Sequence, residues 1–169
     1  MNGNKYLSDE ETNKLETLLW SRVDSCPRDT LLLLLALNTA ARASELLKLT
    51  KVDVYKDHRS LFLRGSKGSY GREIPLPDKL YEALIKYIYT IETNMLFPIS
   101  YQRWYQIWSH WRTVNKSPHS LRHTAAIRLY KKTKDIRLTQ TFLGHKSLSS
   151  TEVYSKYVYS QEELRKALK

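Results

Sequence analysis

Three short stretches bring together side chains that act on phosphate esters. They are Ala41-Arg42-Ala43-Ser44-Glu45-Leu46, Pro118-His119-Ser120-Leu121-Arg122-His123, and Leu143-Gly144-His145 followed by Thr151-Glu152-Val153-Tyr154. Lys67 stands between the first two, in a stretch punctuated by Gly65, Gly68 and Gly71. Two arginines can clamp the non-bridging oxygens of a phosphate through their planar forks. Histidines can hydrogen-bond a phosphate and move protons near neutral pH. A lysine on a turn can protonate a leaving oxygen, and a tyrosine hydroxyl can attack phosphorus and hold it covalently. Phosphoryl transfer asks above all for charge stabilisation and in-line positioning. Arg42 and Arg122 can supply that charge without a metal ion.

Each of these residues also has an ordinary reading. Arg42 closes an apolar helix and can be a structural partner of Glu45. Lys67 can be a solvated turn lysine, and His145 a hydrogen-bonded core histidine. His119 and His123, four residues apart, have the spacing of a helical zinc site. The metalloprotease motif needs Glu after its first His, and Ser120 stands there, so no metal is expected. For His123 the expectation is a structural, core-facing role. Tyr154 is one of 12 tyrosines, with Tyr157 and Tyr159 close by, and spacing alone singles it out.

The elements that must position these residues are mostly helical. Ser8 with Asp9, Glu10 and Glu11 starts a helix whose apolar face is Leu15, Leu18 and Leu19. Pro27 opens a second, apolar on most sides from Leu31 to Leu37 and therefore buried. A short helix follows through Ser44 to Leu47. Val52 to Tyr55, Ser60 to Leu63 and Arg72 to Leu76 read as strands. Pro77 and Asp78 begin a helix striped by Leu80, Leu84, Ile88 and Ile91. Further helices are expected over Tyr101 to Arg112, Leu121 to Lys131, Ile136 to Leu143 and Ser149 to Tyr157. Trp104, Trp108 and Trp111 make the first of these an aromatic core helix. An amphipathic tail runs from Gln161 to Leu168. The fold class is therefore α+β, mainly α-helical with one small antiparallel β-sheet. The chain's 169 residues suit one compact domain.

Formal net charge is +11, and this points to a polyanionic partner, with nucleic acid first. The charges are segregated. Thr93 to Lys134 contains no Asp or Glu, while acids gather at Asp9, Glu10, Glu11 and Glu16. Arg103, Arg112, Lys116, Arg128, Lys131, Lys132 and Lys146 are the candidate DNA-binding residues. Cys26 is the only cysteine, which rules out an intramolecular disulfide and suggests a buried or inert thiol. Leu31 to Ala41 is too short to span a bilayer, so no membrane partner and a cytoplasmic location are expected.

The order Arg, Lys, His-x-x-Arg, His, Tyr resembles the signature of the tyrosine recombinases. Thr39-Ala40-Ala41-Arg42-Ala43-Ser44-Glu45-Leu46 is similar to the family's T-G-x-R-x-S-E-L box, with Ala40 where Gly is usual. His119-Ser120-Leu121-Arg122-His123 and Leu143-Gly144-His145 resemble two further boxes, and Tyr154 follows His145 by nine positions (154 − 145). Gly65-Ser66-Lys67-Gly68 with Arg72-Glu73-Ile74-Pro75-Leu76 looks like the family's lysine hairpin. The resemblance implies cleavage and rejoining of double-stranded DNA through a 3′-phosphotyrosyl intermediate, without ATP, metal or other cofactor. In that scheme Arg42 and Arg122 stabilise the phosphorane, Lys67 is the general acid, and His119 assists at the nucleophile. His145 bonds the phosphate, Tyr154 attacks, and Glu45 and His123 support from behind. It also implies a tetramer on synapsed DNA, a monomer when free, accessory DNA-bending proteins, and a C-terminal tail that docks on a neighbour or on its own domain. Residues 1–169 would form one catalytic domain with no N-terminal core-binding domain. A type IB topoisomerase and a non-catalytic DNA-binding regulator on the same fold are the alternatives.

Overall fold

The computed structural model describes residues 5–66, 68–157 and 165–169. Helix α1 (Asp9–Ser21) begins with a reciprocal cap: Ser8 Oγ accepts from Glu11 N, and Glu11 accepts from Ser8 N at 2.7 Å. Its Leu15 and Leu19 are fully buried. They pack on α2 (Pro27–Thr39), in which Leu31 to Leu35 have no exposed surface. Proline at its first position suits α2, since that N–H has no helical partner in any case. Helices α4 (Asp78–Thr90) and α6 (His119–Thr133) close around α2 from other sides. An apolar helix buried all round is thus the axis of the core, and the phosphate-type residues hang from its end.

That end is a left-handed turn. Ala40 has φ 51°, and Thr39 Oγ1 accepts the next free amide, Ala41 N, at 3.3 Å. The turn throws Arg42 out of the helix direction and starts the single turn α3 (Ala43–Leu46). Strands β1 (Val54–Tyr55), β2 (Ser60–Leu63) and β3 (Arg72–Pro75) form an antiparallel sheet in the order β1-β2-β3. Leu61 faces Ile74 and Leu63 faces Arg72 across β2 and β3, so these four side chains share the inward face. Helix α5 (Tyr101–Trp111) buries Trp104, Ile107, Trp108 and Trp111, as its aromatic pattern predicts. Helix α7 (Ile136–Leu143) is capped by Asp135 and ends at Gly144 in the left-handed region.

Two expected elements change. Val52 lies in a 3-10 turn, Lys51–Asp53, and is 67% exposed, so the first strand is shorter than its sequence suggests. The helix expected over Ser149 to Tyr157 is broken: α8 covers Ser149–Glu152, a turn holds Tyr154, and a 3-10 turn spans Ser155–Tyr157. Of the buried or inert thiol expected at Cys26, burial does not hold: the residue is exposed just before α2, ahead of the apolar run. The first half of the C-terminal tail, 161–164, lies outside the described residues; Leu168, within them, is 86% exposed.

Candidate active site

Arg122 is a buried charge held by three hydrogen bonds. It sits in the first turns of α6, is 3% exposed, and is gripped from three sides. Nη1 donates to Ala40 O, and Nη2 donates to Leu143 O at 3.1 Å and to His145 Nε2 at 3.0 Å. The ends of α2 and α7 are therefore tied to α6 through one guanidinium. Burial first, then the charges of Arg42 and Arg72, push the Arg122 pKa down to about 10.

Arg42 begins α3. Its backbone N–H donates to Glu45 Oε2 at 2.7 Å, but its guanidinium stays 3.9 Å from that carboxylate. Arg42 Nη1 is buried with no hydrogen-bond partner among the described residues. The carboxylate is committed elsewhere: Arg72 Nη1 and Nη2 bind Glu45 at 2.9 and 3.1 Å, and Arg72 Nε donates to Phe142 O. Burial raises the Glu45 pKa, but Arg72 and the Arg42 amide outweigh it and hold the carboxyl below its usual range. One carboxylate thus faces three guanidinium groups. The surplus positive charge, with an unsatisfied donor, can hold an anion.

Gly144 is required where α7 meets this site. Its φ is 69°, and a Cβ there would meet Tyr70 O at 2.8 Å and Arg72 Nη1 at 2.9 Å. Tyr70 N donates to Gly144 O, and Ser69 pairs with His145, so the segment after Lys67 is stitched beside the histidine. Lys67 itself lies outside the described residues. His145 Nδ1 lies 2.9 Å from Thr151 Oγ1. Burial, then Arg122, Arg42 and Arg72, push its pKa down to about 4, so the ring is neutral at pH 7.

Tyr154 is 3% exposed and packs among Ala40, Ala125, Ala126, Ile127 and Leu143. The small side chains of α6 make room for its ring. Its hydroxyl lies 3.0 Å from His123 Nδ1. His119 stands at the first turn of α6, exposed, with its ring edge-on to His123 at 4.6 Å. Burial, then His119 and Arg122, push the His123 pKa down to about 4. Burial and the two arginines Arg122 and Arg42 lower that of His119.

A sequence model of the phage integrase family matches residues 5–161. The chain belongs to the phage integrase family. It is 32% identical over 177 residues to tyrosine recombinase XerA of Thermococcus onnurineus, an alignment covering 96% of this chain and 61% of that relative. The chain therefore spans about three fifths of that curated relative's length. Its fold superposes on a crystal structure of XerA recombinase with TM-score 0.73 at 25% identity, covering 96% of this chain and 63% of that one. It also superposes on XerH site-specific recombinase bound to its difH substrate, with TM-score 0.74, 24% identity, and coverage of 96% and 52%. The fold is that of a tyrosine recombinase catalytic domain.

Within this integrase fold Arg42, Arg122, His145, Glu45, His123, His119 and Tyr154 all come to one region. Two placements differ from the sequence reading. Glu45 keeps a 3.9 Å ion pair with the Arg42 guanidinium, but its two short side-chain hydrogen bonds go to Arg72. His123, not His119, touches the Tyr154 hydroxyl. Arg72 and Thr151 carry contacts that the motifs did not flag. Strand parity offers a signal for Arg72, since it shares the inward face with Ile74 and an inward arginine needs a carboxylate. Among the DNA-binding candidates, Lys116 bonds Glu11 at 2.6 Å and Tyr6 O at 2.8 Å, and Arg128 bonds Glu16 at 2.9 Å. Arg103 is exposed beside Gln106, and Lys146 lies over the Tyr70 ring at 5.4 Å. Lys131 and Lys132 are exposed at the end of α6, and Arg112 is half-buried after α5.

Proposed function

We propose that this chain cuts and rejoins double-stranded DNA through a covalent 3′-phosphotyrosyl bond at Tyr154, as a site-specific recombinase. The observation that carries the reading is the surplus of guanidinium charge at Arg42 and Arg122, with a buried unpaired donor on Arg42, in the same region as Tyr154. A phosphodiester bears one negative charge and its pentacoordinate state bears two. Arg42 and Arg122 meet the non-bridging oxygens, and His145 adds a hydrogen bond. Tyr154 Oη forms a bond to phosphorus as its proton leaves, with exposed His119 assisting. The bond from phosphorus to the 5′ oxygen breaks, and that oxygen takes a proton from Lys67. Attack by a 5′-hydroxyl reverses the sequence, so no external energy source enters. In the DNA-free state the Tyr154 hydroxyl rests against His123, and it moves out to reach phosphorus. Tetrameric assembly on DNA, accessory DNA-bending proteins and a cytoplasmic setting belong to the same reading. Among the described residues no helix is long and apolar enough to cross a membrane.

The test is covalent capture on nicked duplexes, followed by mass spectrometry of the DNA-linked peptide. The expected crosslink is at Tyr154. Tyr154→Phe should lose the adduct and keep DNA affinity, while Tyr157→Phe and Tyr159→Phe should keep both. A crosslink at another tyrosine, or none from the unmodified chain, overturns the assignment.

A further inference from the structure

One buried hydroxyl beside the site has no part in the chemistry described so far. Thr151 has no exposed surface. Its Oγ1 lies 2.9 Å from His145 Nδ1, and its carbonyl accepts Tyr154 N at 3.0 Å. It therefore touches both the phosphate-facing histidine and the turn that carries the nucleophile. The opposite ring nitrogen, His145 Nε2, lies 3.0 Å from Arg122 Nη2. A guanidinium only donates, so Nε2 is the acceptor in that contact. With neutral imidazole, the ring proton is then on Nδ1 and is donated to Thr151 Oγ1. The tautomer follows from the partners.

A bound phosphodiester reverses what is asked of the ring. Its oxygens only accept, and Arg122 turns its donors toward them. Nε2 must now carry a proton to reach an oxygen. Adding a proton to the ring would set a further positive charge beside Arg42, Arg72 and Arg122, in a half-buried place. The alternative keeps the ring neutral: Nδ1 loses its proton to solvent and Nε2 gains one. Nδ1 is then a bare acceptor that needs a donor. A carbonyl or carboxylate at this position would lock the proton on Nδ1, and an alkyl group would leave either state unpaired. A hydroxyl can accept in the first state and donate in the second by rotating its O–H.

We propose that Thr151 is a positioning residue for strand cleavage. Its hydroxyl switches from acceptor to donor, converting His145 from the partner of Arg122 into a neutral Nε2–H donor to the scissile phosphate. The inference rests on reading this site as a phosphodiester clamp.

Two variants and two measurements test it. Thr151→Val keeps the shape and removes the hydroxyl; Thr151→Ser keeps the hydroxyl and trims a methyl. On a pool of nicked duplexes of randomised sequence, Thr151→Val should form the Tyr154 adduct on the order of tenfold to a hundredfold more slowly, at unchanged DNA affinity. Thr151→Ser should recover most of the rate. Nitrogen NMR of the His145 ring should show the Nδ1–H form in the free chain. Inorganic phosphate should shift it toward Nε2–H, and in Thr151→Val that response should be lost. The inference is overturned by a valine variant that cleaves like the parent, by a serine variant as slow as valine, or by a ring unresponsive to phosphate in the parent. Absence of any adduct from the unmodified chain strikes the clamp reading instead, and the phosphate response of the ring still decides the role of Thr151.

Discussion

At the scale of single residues the site is a set of charges held where the fold alone would not want them. Arg42, Arg72 and Arg122 share one carboxylate, and Arg42 and Arg72 both depress Arg122. Stability and activity should therefore separate at Arg42. Arg42→Ala relieves like-charge repulsion and removes a buried unsatisfied donor, so unfolding stability should stay level or rise by up to about 1 kcal/mol. Adduct formation should fall on the order of a thousandfold, as when an arginine is removed from a phosphoryl-transfer site. Urea denaturation beside single-turnover cleavage reads both, and a variant that loses stability in step with activity contradicts the argument. The histidines give a second expectation. His123 and His145 titrate near pH 4 when folded and near 6.5 when unfolded. The unfolded chain thus binds more protons between those values, and stability falls as pH drops through that window. Both rings are partly exposed, so about 2 kcal/mol between pH 7 and pH 5 is a discounted figure. Denaturant titrations at the two pH values check it. His145→Gln should flatten part of the slope, and an unchanged profile would count against a neutral, buried imidazole.

At the scale of elements, two left-handed residues set the ends of the helices that converge on Arg122. They are not equivalent. At Gly144 a Cβ would strike a backbone carbonyl and the Arg72 guanidinium, on top of about 1 to 2 kcal/mol of left-handed strain. Gly144→Ala should destabilise by roughly 2 to 4 kcal/mol and slow cleavage by displacing His145. At Ala40 the strain is already present, and three effects oppose one another. Glycine relieves about 1 to 2 kcal/mol, gives up a buried methyl worth about 0.8 kcal/mol, and adds chain entropy worth about 0.5 to 1 kcal/mol. Ala40→Gly should be neutral within about 1 kcal/mol, and thermal unfolding of the two variants side by side tests the contrast. The same elements show what a sequence can disclose. Helices α5 and α7, and the capped start of α1, were legible nearly to the residue, because the signals that define them are local. The break after Glu152 was not, since Ser149 to Tyr157 has no Gly or Pro. The turn is set by long-range contacts, with Thr151 on His145 and Tyr154 on His123. The motif residues could be found by spacing. Their partners could not, because Arg72 and Glu45 are joined only when β3 meets α3 in space.

At the scale of the whole molecule, a stretch without acids in sequence is not a surface without acids. Residues 93–134 contain no Asp or Glu, yet α1 folds back on them and brings Glu11 to Lys116 and Glu16 to Arg128. Two of the seven candidate DNA contacts are thereby engaged within the protein, leaving five (7 − 2): Arg103, Arg112, Lys131, Lys132 and Lys146. Each phosphate contact contributes about 0.9 to the slope of log affinity against log salt, so these five can add at most about 4.5. The two groups should separate on mutation. Lys116 is three-quarters buried at its side chain, and its ammonium also satisfies the carbonyl of Tyr6. Lys116→Ala should therefore cost about 1 to 2 kcal/mol of stability and loosen the segment before α1, while leaving the salt slope where it was. Lys132→Ala, at an exposed position, should do the reverse, lowering the slope by about 0.9 with no change in unfolding. Binding isotherms across a salt series, paired with thermal melts of the same two variants, read both quantities. If Lys116→Ala flattens the salt dependence and Lys132→Ala does not, Lys116 leaves Glu11 to meet DNA, and the division of charge between fold and ligand drawn from this structure is wrong.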